Sequence, residues 1–83
     1  MKKVIRFTAS WCQPCKVLAK NLESVNNVYS IPIEVVDIDI QNEMAVEFGI
    51  RSVPTLVMMD GNIEVKRMTG SKTVNELQEW ATT

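Results

Sequence analysis

The stretch from Ile31 to Ile40 is a nearly continuous β-branched run, bounded by Pro32 and by Gln41-Asn42. Such a run predicts a strand buried on both faces, and strands of that kind belong to sheets with helices packed on either side. The residues before it fit the same scheme. Lys-Val-Ile-Arg-Phe-Thr at 3–8 is short and β-rich, and stops at Ala9-Ser10, so it reads as a strand running into a loop. From Lys16 to Asn26, Leu18, Leu22 and Val25 recur at the spacing of one helix face, predicting a helix of about three turns that Asn26-Asn27 ends. Strand, helix and second strand make a βαβ unit, its two strands parallel and joined by a right-handed crossover.

The rest of the chain adds a hairpin and two helices. Met44, Ala45 and Phe48 give a short helical pattern, and Gly49 falls where a left-handed cap is common. Thr55–Met59 and Ile63–Met68 flank Asp60-Gly61-Asn62, whose Asp-Gly pair favours a tight turn between antiparallel strands. Val74, Leu77 and Ala81, with Trp80 beside them, close the chain with an amphipathic helix. The expected class is α/β, in the order βαβαββα, with a mixed four-stranded sheet flanked by helices. At 83 residues there is room for one domain, 1–83, near the lower size at which a single core holds a fold without staples.

Charge narrows the function. Nine basic against ten acidic side chains leave a net charge of −1 without a basic block that could follow a phosphate backbone, so nucleic acid is excluded as the expected partner. Arg6 interrupts the apolar residues after Met1-Lys2-Lys3, so no export signal or membrane span is read and the expected compartment is the cytoplasm. Two cysteines separated by two residues in such a chain read as a redox or metal motif, because the cytosol keeps ordinary thiols reduced. Tetrahedral zinc needs four ligands, and the chain has no histidine and no third cysteine, so no metal or other cofactor is expected.

The motif is Trp11-Cys12-Gln13-Pro14-Cys15-Lys16, placed where a strand gives way to a helix. The first helical turn carries unpaired N–H groups and roughly half a positive charge, which favours a thiolate over a thiol. Cys12 gains most from this position and is the expected nucleophile. Cys15, one turn on, is placed to resolve a mixed disulfide formed at Cys12. Pro14 is tolerated in the first turn because its missing N–H has no helical partner there, and it stiffens the loop. Trp11 reads as a partly exposed shield over the disulfide, whereas Lys16 and Arg51 read as solvated charges.

Trp-Cys-X-Pro-Cys-Lys after a short strand, with Gly49-Ile50-Arg51-Ser52-Val53-Pro54-Thr55 downstream, resembles the thioredoxin family. The resemblance covers nearly the whole chain, without the N-terminal strand and helix of full-length thioredoxins, so its size is closer to a glutaredoxin. It implies a thiol–disulfide oxidoreductase acting on disulfide-containing protein substrates as a monomer. Trp11, Cys12, Gln13, Pro14 and Cys15 would form the active site. Pro54 would match the family's cis-proline facing the disulfide, although from spacing alone it reads as a plain strand-entry proline. Val53 would pair through its backbone with an extended substrate segment, and Thr69-Gly70 would border the substrate groove.

The resemblance leaves choices open. An NADPH-linked thioredoxin reductase or glutathione could supply electrons, and an adaptor without turnover is a third reading. Where thioredoxins carry a buried Asp and its lysine partner, this chain has Arg6 and, by position, Val35. Arg6 is expected to reach solvent, to pair with Asp37 or Asp39, or to lie near the thiols. Gln13 replaces the glycine usual between the first cysteine and the proline, which bears on the reduction potential.

Overall fold

A computed structural model describes residues 1–82. Its elements run β1 (Lys2–Thr8), α1 (Gln13–Tyr29), β2 (Ile33–Asp37), α2 (Asn42–Glu47), β3 (Thr55–Asp60), β4 (Ile63–Thr69) and α3 (Val74–Thr82). The order βαβαββα and the mixed four-stranded sheet are those expected. The strands lie β2-β1-β3-β4, with β1 parallel to β2 and antiparallel to β3, and with β3 antiparallel to β4.

Because alternate strand residues point to opposite faces, the sheet splits the core in two. On one face Val4, Leu56 and Met58 pack against Leu18, Leu22 and Val25 of α1 and Leu77 of α3. On the other, Ile5, Phe7, Val36, Val57 and Met59 are covered by Met44 and Phe48 around α2. The strand buried along both faces is β3, whose Thr55–Met59 are all buried.

The run from Ile31 to Ile40 is shorter and less buried than expected. Only Ile33–Asp37 form β2, which lies at the sheet edge with Val35 50% exposed. The Asp37 carboxylate accepts the Asp39 N–H at 2.9 Å, a local turn that takes Ile38–Ile40 out of the strand. Ile38 packs instead against Ala9, Cys12 and Cys15.

Helix α1 is also longer than its apolar spacing suggested, at 17 residues, and runs through Asn26-Asn27. It ends at Ser30, in the left-handed region at φ 53°, with its N–H donated to the Asn26 carbonyl. Its last turn is held from outside, since Gln78 Nε2 of α3 donates to the Tyr29 hydroxyl at 3.2 Å. Helix α3 begins with a reciprocal cap: the Glu76 N–H donates to the Thr73 hydroxyl and the Thr73 N–H to the Glu76 carboxylate, each at 3.1 Å. Gly61 at φ 62° supplies the positive φ that the β3–β4 turn needs.

Candidate functional site

The turn after β1 closes when the Cys12 N–H donates to the Ala9 carbonyl at 3.2 Å, and this delivers Cys12 to the N-cap of α1. Gln13 and Pro14 are the first two helical residues, both exposed, and neither position needs an N–H for the helix. Cys12 replaces the usual capping oxygen with sulfur, its Sγ accepting the Cys15 N–H at 3.2 Å. The same two residues are joined by a disulfide, with Cα atoms 5.3 Å apart, so the structure is that of the oxidised chain.

The apolar surround is Ala9 with Ile38 and Val53. Cys12 is 4% and Cys15 1% exposed, so the pair is almost wholly covered. Trp11, beside them, is 66% exposed and fixed by its indole N–H, which donates to Asp39 Oδ2 at 2.9 Å. The sequence offered Asp39 only as a partner for Arg6, whereas its partner here is Trp11. It lies 28 positions away, and the turn that presents it is made by Asp37.

Val53-Pro54 is a cis peptide bond, and the Val53 carbonyl oxygen lies 3.8 Å from Cys12 Sγ, within reach of a thiol S–H once the disulfide is reduced. The Gly70 N–H donates to the Pro54 carbonyl at 2.9 Å, and Thr69 pairs with Thr55 across β4 and β3. Val53, Pro54, Thr69 and Gly70 are thereby linked in one neighbourhood, and Val53 joins it to Cys12. Lys16 and Arg51 are exposed.

Arg6 makes no ion pair with Asp37 or Asp39 among the described residues. It is half-buried in the sheet, and burial pulls its guanidinium pKa below the ordinary value. Instead it lines a cavity of about 230 Å³ together with Cys15, Lys16 and Asp37. Of the three expected placements of Arg6, the ion pair is not found; the side chain stays partly exposed and lines the same cavity as Cys15.

Among the described residues, no group of three or more His, Cys, Asp or Glu is arranged to hold a metal ion, and no helix is long and apolar enough to cross a membrane. Chemically the arrangement is a dithiol–disulfide couple: two sulfurs one helical turn apart, an N–H aimed at the first, and backbone acceptors close by.

The comparisons agree with this geometry. The thioredoxin family model matches residues 1–83. The chain is 40% identical over 80 residues to the thioredoxin of Mycoplasmoides gallisepticum, covering 94% of this chain and 79% of that one. It is 37% identical over 71 residues to a bifunctional thioredoxin reductase/thioredoxin of Mycobacterium leprae, covering 83% of this chain but only 16% of that longer protein. The thioredoxin structure from Malassezia sympodialis superimposes with a TM-score of 0.87 at 31% identity, over 98% of this chain and 72% of that one. On the family match and on these identities, the chain belongs to the thioredoxin family.

Proposed function

We propose that residues 1–83 work as one thioredoxin-like domain that reduces protein disulfides, with Cys12 as nucleophile and Cys15 as resolving thiol. The observation that supports this most directly is the Cys12–Cys15 disulfide at the start of α1, beside the Val53 carbonyl. In the reduced chain, the Cys12 thiolate attacks one sulfur of a substrate disulfide. That bond breaks, the other substrate sulfur leaves as a thiolate and takes up a proton, and a mixed disulfide forms on Cys12. Cys15 then loses its proton and attacks Cys12 Sγ. The second substrate sulfur leaves, so two electrons and two protons have passed to the substrate and the chain is oxidised.

In this reading Trp11, Gln13, Pro14 and Pro54 shape the site, while Val53, Thr69 and Gly70 offer backbone to an extended substrate. The protein acts as a monomeric electron carrier in a reducing compartment, the cytoplasm, where its thiols are kept usable. A reductase linked to NADPH is the favoured electron source, since one relative combines thioredoxin reductase and thioredoxin in one chain.

Reduction of insulin disulfides tests the reading. Wild type should accelerate it, Cys12→Ser should abolish it, and Cys15→Ser should accumulate a mixed disulfide on Cys12, identified by mass spectrometry. Wild-type turnover by Cys12→Ser would sink the assignment. Recharging by thioredoxin reductase with NADPH, compared with glutathione, decides the electron source.

A further inference from the structure

Arg6 sits in β1, the second of four strands, where both faces of the sheet are covered. Strand alternation puts it on the same face as Val4, which packs against Leu18, Leu22 and Val25 of α1. Its partners across the sheet are Val35 and Leu56, neither of which can neutralise it. A guanidinium remains protonated even in such surroundings. It lines a cavity of about 230 Å³ beside the first turns of α1, together with Cys15 and Ala19.

Every charged group lining that cavity can be named. Arg6 enters from β1, Lys16 from the helix that carries Cys15, and Asp37 from the end of β2. Asp39, just beyond, is engaged with the Trp11 indole. Two cations and one carboxylate therefore share the lining of a cavity with Cys15, a residue only 1% exposed.

We propose that Arg6 is a positioning residue for the resolving step, its fixed cation favouring the Cys15 thiolate that must form before the mixed disulfide is released. The proposal rests on the oxidoreductase reading above. The step itself is unchanged: Cys15 gives up its proton through the cavity, the Cys15–Cys12 bond forms, the Cys12–substrate bond breaks, and its electron pair leaves on the substrate sulfur. What Arg6 changes is the fraction of Cys15 ready to act. Loss of a nearby cation should raise the Cys15 pKa by about one, leaving about tenfold less thiolate at neutral pH. A more basic thiolate is a better nucleophile by about threefold, so the net slowing is about threefold. Above both pKa values the variant should be the faster of the two.

The reaction of the reduced full-length chain with Ellman's disulfide isolates this step. The first thionitrobenzoate released reports attack by Cys12, and the second reports attack by Cys15. In Arg6→Met the pH midpoint of the second phase should rise by about one, with the first phase little changed; in Arg6→Lys it should stay near wild type. In Asp37→Asn it should fall, because that change removes the opposing charge. An unchanged midpoint in Arg6→Met, equal shifts in Arg6→Met and Arg6→Lys, or a rise in Asp37→Asn would each overturn the proposal. Should Arg6→Met fail to fold, the direction of the Asp37→Asn shift decides alone. Because this probe is a small disulfide, failure to reduce insulin would count against the proposed function without touching the Arg6 result.

Discussion

Reduction should make the stability of this protein depend on pH through Cys12, and the size of the effect follows from its capping role. The Cys12 Sγ already accepts the Cys15 N–H at 3.2 Å and terminates a 17-residue helix. As a thiolate it would accept a charge-assisted bond, typically about 1.5–3 kcal/mol, with the helix dipole acting in the same direction. On the pKa scale, a stabilisation of about 2 kcal/mol corresponds to a thiol lowered by about 1.5. The cap and the dipole lower the folded pKa, so this contribution is fully present above the unfolded value of about 8.5 and is lost as pH falls through the lower folded one. Urea unfolding of the reduced protein, with tris(carboxyethyl)phosphine present, should be compared with the reduced Cys12→Ser variant at about pH 6 and about pH 9. Groups common to both proteins cancel in the difference. Wild type should gain about 2 kcal/mol on the variant between those conditions. Parallel pH profiles would refute the claim that the native helix start stabilises a Cys12 thiolate.

Two further predictions concern the scaffold. Leu77 is the one buried side chain of α3, so Leu77→Ala should cost about 2–5 kcal/mol in urea unfolding, against a total of about 4–12 kcal/mol for a chain this size; a loss below about 1 kcal/mol would mean that α3 is not docked through this residue. The Thr73 N–H, and then its hydroxyl, hold the Glu76 carboxyl below the usual carboxylate range, so the cap is intact at neutral pH and weakens as pH falls through that depressed value. Amide exchange in α3 should show this acid sensitivity in wild type and lose it in Glu76→Gln, whereas equal sensitivity in both would place its origin elsewhere.

The residues that made the fold legible were those whose pattern is local. The apolar spacing of Leu18, Leu22 and Val25, the Asp-Gly turn, and the strands on either side of it are all found where the sequence placed them. The errors arose where a distant partner decides the outcome. Asn26-Asn27 looked like a helix end, but the helix continues to Tyr29, whose hydroxyl is bonded to Gln78 of α3. The apolar repeat begins only near Lys16, but the motif with Pro14 in the first turn already marked the helix start, and a cysteine sulfur caps it at Cys12. In the run from Ile31 to Ile40, composition alone could not distinguish a strand from the Asp37 turn that sends Ile38 to the cysteines. The Cys-X-X-Cys chemistry could be read directly from its spacing. The Trp11–Asp39 bond, and the cavity that joins Arg6 to Cys15, exist only once β1, β2 and α1 are assembled.

The outer edge of β2 bears on how this protein tolerates concentration. With β1 as its only neighbour among the described residues, β2 presents one row of backbone N–H and C=O groups at the sheet edge, able to pair with another chain. Its defences are brevity, five residues, Pro32 at its approach, and two acidic side chains, Glu34 and Asp37, with Glu34 also bound to Lys3 at 2.8 Å. Val35, half exposed between them, is the apolar residue that an incoming strand would cover. Val35→Lys would place a charge where an incoming strand has to pack and so protect that edge further.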